Sequence, residues 1–345
     1  MLIINKTKPF YIDKTNRVIR MGNFTDTGKE IYYDDESLLS IFKNLSEPIS
    51  RNELIKTVKN DTNVDNIEIE NAIDYLISES FIINNDDYIK TLKNEDYNRQ
   101  NLFFNMFTNT FIDYEKKFKN KKVLILGLGG IGSNTALLLS RAGFDNFVFV
   151  DCDNVEESNL IRQLSYNEND VGNLKTESLY KKIKNNKNNI IIYNKKILCK
   201  DDISNEIKYC DFVLCTLDKP KRKIRRIINE LCIEYEKPVL FCGFSEHVGM
   251  IGPFIIPNIT PCLLCTEKDM NEEPINNVDI TPSYGPLCAI ISSIASNEII
   301  KYYSNYSLDN LLGKTLMFNC STYETKIIKW KKNKKCKECG NNEYK

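Results

Sequence analysis

One stretch constrains the fold of this chain more than any other. Lys122 to Gln163 reads KVLILGLGGIGSNTALLLSRAGFDNFVFVDCDNVEESNLIRQ. An apolar run, Val123–Leu126, enters the pattern Gly127-x-Gly129-Gly130-x-Gly132 and then an apolar stretch at helical spacing. A second apolar run, Phe147–Val150, ends at Asp151. Strand, glycine turn, helix, strand and terminal acid in that order mark a nucleotide-binding unit on a parallel sheet. The glycines allow a tight turn and close approach of the backbone. The helix start offers unpaired N–H groups to phosphate, and an acid after the second strand suits ribose hydroxyls.

The glycine pattern alone fits NAD, FAD or ATP. Ser158-Asn159-Leu160-Ile161-Arg162-Gln163 and then Lys175 add two cations and two amides just downstream. Such a cluster suits a triphosphate better than a dinucleotide; solvated surface charges are the alternative reading of Arg162 and Lys175. Further apolar runs at Ile190–Tyr193, Phe212–Cys215 and Val239–Cys242 alternate with helical stretches. The expected fold is therefore α/β, a Rossmann-like, mostly parallel sheet.

Composition narrows the partners. Lys+Arg and Asp+Glu are both 47, so no global field points to nucleic acid or membrane. No segment approaches the roughly 18 consecutive apolar residues of a membrane span. The N-terminus lacks an apolar core with a small-residue cleavage site, so a cytoplasmic protein is expected. Among twelve cysteines, Cys262-x-x-Cys265 and Cys336-x-x-Cys339 stand out. Two such pairs supply four thiolates, enough for a closed tetrahedral zinc site stapling the C-terminal tail; a redox disulfide is the alternative for either pair. Cys152, Cys199, Cys210, Cys215, Cys232, Cys242 and Cys320 fall mostly beside apolar runs and read as core, as does Cys288. The single histidine, His247, reads as a strand-end or loop residue, which leaves little room for histidine-based hydrolysis.

Residues 1–90 follow a different pattern. Phe10-Tyr11-Ile12 and Val18-Ile19 suggest short strands. Leu38 to Leu45, Glu53 to Val58 and Ile67 to Ser78 carry helical spacing, and Phe81-Ile82-Ile83 closes as a strand. This is the outline of a small winged-helix-like module. Asp61, Asp65, Glu68, Glu70, Asp74 and Glu79 place acid where a DNA-reading helix needs positive charge, so nucleic acid is disfavoured. Residues 91–120 form a polar connector, and residues 121–345 form the nucleotide domain.

With these residues in view, the chain resembles the ThiF/MoeB-type adenylyltransferases related to ubiquitin-activating enzymes. Within them it resembles the branch that modifies ribosomal peptides, of microcin C type. The blocks are YNRQ (97–100), GLGGIGSN (127–134), DCDNVEESNLIRQ (151–163), DVGNLKTE (170–177), TLDKP (216–220) and the two cysteine pairs. The resemblance implies ATP as substrate, and no residue in the sequence excludes CTP. It implies that Gly127, Gly129, Gly130 and Gly132 line the nucleotide loop, with Asp151 on the ribose and Asp153 beside it. It further implies that Asn159, Arg162, Gln163 and Lys175 meet the phosphates and that Asp218 holds Mg²⁺. Arg99 matches an arginine inserted into the partner's site of a homodimer. The N-terminal module resembles peptide-recognition elements that pair with a precursor at a strand edge.

The implied reaction is nucleotidylation of the C-terminus of a short precursor peptide in the making of a modified-peptide antibiotic, with pyrophosphate leaving. A C-terminal carboxyl has a pKa near about 3.5 and needs no general base, which suits a chain with one histidine. Thr266–Ser283 contains no cysteine, so a thioester step is not expected. The rival within the same chemistry is activation of a Gly-Gly sulfur carrier. Rivals of other classes are a non-catalytic peptide-binding partner and an NAD oxidoreductase.

Overall fold

The computed structural model describes residues 1–23, 28–108, 111–185, 188–219, 223–266 and 282–340. The chain forms two compact units, Met1–Tyr114 and Glu115–Lys345.

In the first unit, strand β1 (Leu2–Ile4) opens the chain, followed by β2 (Phe10–Asp13), β3 (Val18–Met21) and β4 (Lys29–Tyr32). Helices α1 (Ser37–Asn44), α2 (Arg51–Thr62) and α3 (Asn66–Ser78) follow, then β5 (Ile82–Asn84), α4 (Asn85–Leu92) and α5 (Asn98–Asn105). β2, β3 and β4 form an antiparallel sheet in that order, while β5 pairs antiparallel with β1. Period-two alternation on β3 turns Ile19 and Met21 into the core against Phe42, Leu54 and Ile73. Local chemistry fixes the helix ends. Ser50 accepts the Glu53 N–H at 3.2 Å to start α2, and Asn63 takes the left-handed conformation that ends it.

Strands, three helices and a closing strand appear where the sequence pattern places them. The pattern missed β1 and β4, and the segment expected as a connector carries helix α5. Short amphipathic turns rich in Asn and Asp give little periodic signal.

The second unit is built on an eight-stranded sheet. Its strands are β6 (Lys122–Leu126), β7 (Asn146–Asp151), β8 (Asn189–Asn194), β9 (Phe212–Cys215), β10 (Val239–Ser245), β11 (Val248–Ile255), β12 (Lys314–Asn319) and β13 (Thr325–Lys329). Helices are α6 (Gly132–Ala142), α7 (Lys175–Ile183), α8 (Ser204–Lys208), α9 (Lys223–Glu234), α10 (Leu263–Thr266) and α11 (Gly285–Ser304). The strand order is β13-β12-β11-β10-β9-β6-β7-β8. From β10 to β8 all neighbours are parallel, and β11 to β13 extend the sheet antiparallel. The central strands are near-continuous apolar runs because both faces are covered: Leu124, Leu126, Val148 and Val213 are all buried. β6 has β7 on one side and β9 on the other, so the winding direction reverses there. A crevice at the carboxyl ends of such strands is where a ligand binds.

Candidate active site

A cavity of about 390 Å³ opens at that reversal. The residue after each central strand reaches it: Gly127 after β6, Asp151 at the end of β7, Lys195 after β8 and Thr216 after β9. Two glycines have steric reasons to be there. Gly127 has φ +89°, and a Cβ on it would sit 2.9 Å from Thr216 Oγ1. A Cβ on Gly132 would lie 1.9 Å from the Gly127 carbonyl oxygen. Gly132 is thus the residue that lets α6 dock on the turn; unlike Gly127, Gly129 and Gly130, it does not line the cavity. Gly132→Ala is expected to destabilise the chain by about 3 kcal/mol, read as a lower thermal melting midpoint without nucleotide.

Asp151 does more than face the cavity. Its Oδ2 accepts the Leu128 N–H at 2.6 Å and its Oδ1 the Asp153 N–H at 2.8 Å. The carboxylate therefore ties the glycine turn to the end of β7. Burial pushes its carboxyl pKa up, opposed by those two N–H groups and by Lys175. Asp151→Asn keeps the shape but removes the charge and an acceptor. ATP affinity is expected to fall about tenfold, measured by calorimetric titration.

The two cations are held by the chain itself. Lys175 Nζ lies 3.0 Å from Asp153 Oδ2, its side chain only 7% exposed. Arg162 donates to the Ser158 carbonyl at 2.6 Å. Both line the cavity, as do Asp153, Gln163 and Asp218. Gln163 is buried, and its Oε1 has no hydrogen-bond partner among the described residues. An orphaned buried acceptor facing a cavity is what a bound ligand would satisfy. Asn159 departs from expectation. It does not line the cavity; its Oδ1 accepts the Glu156 N–H at 3.3 Å and its Nδ2 donates to Ser158 Oγ. Its amide is engaged in shaping the turn that carries Arg162 and Gln163.

Sequence reasoning missed several lining residues: Cys152, Lys195, Lys196, Lys219 and Phe244. A signal existed for the lysines. Each follows the carboxyl end of a parallel strand, the edge where ligands gather. Thr216 stands in a quoted block without a role; its hydroxyl donates to the Gly127 carbonyl at 2.9 Å and secures the turn. Tyr166, also unsingled, donates to the Leu128 carbonyl at 3.0 Å from a buried position.

Away from the cavity, Cys262, Cys265, Cys336 and Cys339 bring four Sγ atoms within 4.8 Å of one another. Cys262 lies 3.6 Å from Cys336, and Cys265 lies 3.4 Å from Cys339. Four thiolates at about 2.3 Å from one zinc ion would stand about 3.8 Å apart. The cluster fits a closed tetrahedral zinc site, and none of its members lines the cavity.

The sequence profile of the ThiF family matches residues 97–339. The chain belongs to the ThiF family. Its curated relatives are adenylyltransferases, and it is an ATP-dependent adenylyltransferase. It is 29% identical to the molybdopterin-synthase adenylyltransferase of Escherichia coli, over 66% of this chain and 90% of that one. It is 25% identical to the E. coli sulfur carrier protein ThiS adenylyltransferase, again over 66% and 90%. It spans only 53% of the adenylyltransferase and sulfurtransferase of Candida albicans, at 28% identity. Among solved structures, E. coli MccB with MccA superposes with a TM-score of 0.83 at 21% identity, over 99% of each chain.

In this ThiF-family chain Arg99 lies on α5, in the first compact unit. The remaining cysteines divide. Cys210, Cys215, Cys232, Cys242 and Cys288 are buried as expected; Cys152 and Cys199 are exposed and Cys320 half-buried, which corrects their reading as core. Cys152, the residue after β7, lines the cavity together with Asp151 and Asp153. His247 sits exposed in the turn joining β10 and β11. Most of Thr266–Ser283, together with Pro220, lies outside the described residues. No helix among the described residues is long and apolar enough to cross a membrane.

Proposed function

We propose that the chain nucleotidylates the C-terminus of a short ribosomal precursor peptide, using the unit Met1–Tyr114 to hold the peptide. The observation that carries this reading is the extent of likeness. The molybdopterin-pathway relative aligns with two thirds of the chain, whereas MccB, a structure determined with MccA, matches the fold over 99% of both. The part before the family match, which begins at residue 97, includes a sheet, β2-β3-β4, whose outer strands each pair on one side only among the described residues, a geometry suited to strand addition.

In the reaction a peptide carboxylate oxygen bonds to the α-phosphorus of ATP as the α–β bridging bond breaks, and pyrophosphate leaves with the electron pair. The nucleophile is already ionised, so the residues supply position and positive charge. Asp151 takes the ribose hydroxyls, and Gly127, Gly129 and Gly130 admit the phosphates. Gln163 offers its amide, while Arg162 and Lys175 compensate the charge that moves onto the leaving group. Asn159 contributes through the turn it braces. Asp218 would hold Mg²⁺, which when bound offsets triphosphate charge. Arg99 completes the site from the second copy of a homodimer. A terminal asparagine would allow a further step: its side-chain amide nitrogen closes on the activated carbonyl with loss of the nucleoside monophosphate, and the succinimide nitrogen then attacks the α-phosphorus of a second ATP, releasing pyrophosphate and leaving a phosphoramidate.

The test is to incubate the full chain with Mg²⁺, each nucleoside triphosphate in turn and the peptide encoded beside its gene, then weigh the peptide. A stable gain of one nucleoside monophosphate with pyrophosphate release is expected, and the mass names the base. A hydroxylamine-sensitive adenylate alone would remove the second step. The second reading, activation of a Gly-Gly sulfur carrier, draws on the molybdopterin and ThiS relatives. Pyrophosphate exchange with such a carrier and none with the peptide would establish it instead.

A further inference from the structure

Five cationic side chains line the cavity: Arg162, Lys175, Lys195, Lys196 and Lys219. Three are already engaged. Arg162 bonds to the Ser158 carbonyl at 2.6 Å, Lys175 to Asp153 at 3.0 Å, and Lys195 to Glu206 at 2.8 Å. Among the described residues Lys219 has no hydrogen bond or ion pair, and it projects from the loop after β9 beside Asp218.

Asp153 lines the same cavity as Lys175 and Lys219, with Lys175 Nζ 3.0 Å from its Oδ2. Burial works against its ionisation, yet Lys175, the Cys152 thiol and Lys219 together hold its pKa below the ordinary carboxylate value. The two lysines differ in freedom. The Lys175 side chain is 7% exposed and its stem is fixed by packing; Lys219 is exposed and can move. In the nucleotide-free chain the Lys175 charge is matched by Asp153. Phosphates that engage Lys175 must draw it from a carboxylate 3.0 Å away and leave that acid facing a polyanion.

We infer that Lys219 is a positioning residue that takes over Asp153 when nucleotide phosphates engage Lys175. The exposed cation follows the acid, so the buried cation can turn its full charge to the phosphates. Asp153 thereby acts as a holder that aims Lys175 in the empty cavity and is neutralised by Lys219 in the filled one. This rests on the reading of the cavity as the ATP site.

The test is calorimetric titration of the full chain with Mg-ATP, which needs no acceptor peptide. Lys219→Ala is expected to weaken Mg-ATP binding about tenfold, with an unchanged melting temperature for the nucleotide-free chain, and Lys219→Arg to stay within about threefold of the unaltered chain. The decisive variant is the double one. With Asp153→Asn in place there is no acid to neutralise, so adding Lys219→Ala should cost almost nothing more. A merely structural or general electrostatic role predicts losses that multiply. Equal binding by the unaltered chain and Lys219→Ala, or multiplying losses, would overturn the inference while leaving the ATP site intact. Failure of the unaltered chain to bind Mg-ATP would overturn the site and the inference together.

Discussion

Replacing Lys175 by methionine is expected to lower kcat/KM for nucleotidylation by about a thousandfold, with the fold intact. Removing one preorganised charge from where negative charge develops costs about a hundred- to thousandfold in rate, and Lys175 stands at the upper end because its stem is buried at the cavity wall. Methionine matters to the design. The Lys175 side chain is 7% exposed, so alanine would open a void and confuse lost packing with lost charge. Methionine fills the stem's volume and leaves Asp153, 62% exposed, to be hydrated. The melting temperature should therefore stay within a few degrees while turnover collapses. Single-turnover measurement with saturating ATP separates a loss of chemistry from a loss of binding. More than a tenth of normal kcat/KM in a folded Lys175→Met protein would remove Lys175 from the proposed mechanism.

The glycine turn of the candidate site was readable because its residues have geometric reasons to be what they are. Gly127 needs its positive φ and Gly132 must lie against a carbonyl oxygen, so the pattern survives as a string. Asp151 was readable as an acid after a strand, but its second task, receiving two backbone N–H groups, depends on a turn that only the fold creates. Asn159 shows the opposite case. Its position in the block implied to meet phosphates suggested a ligand contact, yet a short amide finds partners in its own turn before it can reach a cavity. The antiparallel end of the sheet was silent for a different reason. β11 contains two glycines and a proline, and β13 exposes lysines at the sheet edge, so neither alternates cleanly. Lys219 carried only the signal of its place after a parallel strand: the acid it faces, Asp153, arrives from another strand.

The cysteine cluster carries the other large expected effect, on stability and not on chemistry. Cys262→Ser is expected to abolish stoichiometric zinc, read by elemental mass spectrometry, and to lower the melting temperature by more than about 10 °C. Binding of a structural zinc ion contributes about 10 kcal/mol or more to folding in small zinc modules, and an ion held by these four thiolates would join segments 74 residues apart in sequence. Among the described residues, few other contacts hold the tail after β13. Trp330 donates its indole N–H to Thr315 Oγ1 at 2.9 Å, Lys332 donates to the Asn258 carbonyl at 3.1 Å, and the Asn333 N–H points at Cys265 Sγ. The lysines at 331, 332, 334, 335 and 337 repel one another, so without the metal this segment has strong reason to leave the core. Cys262 is the informative position because it is fully buried, and its serine hydroxyl would replace a metal ligand with an unsatisfied polar group. None of the four thiols lines the cavity, so ATP binding measured well below the new melting point should persist. A Cys262→Ser protein that keeps its melting temperature would show the tail to be held by packing alone. One that keeps its stability but loses ATP binding would tie the cluster to the site directly, contrary to the closed four-thiolate geometry.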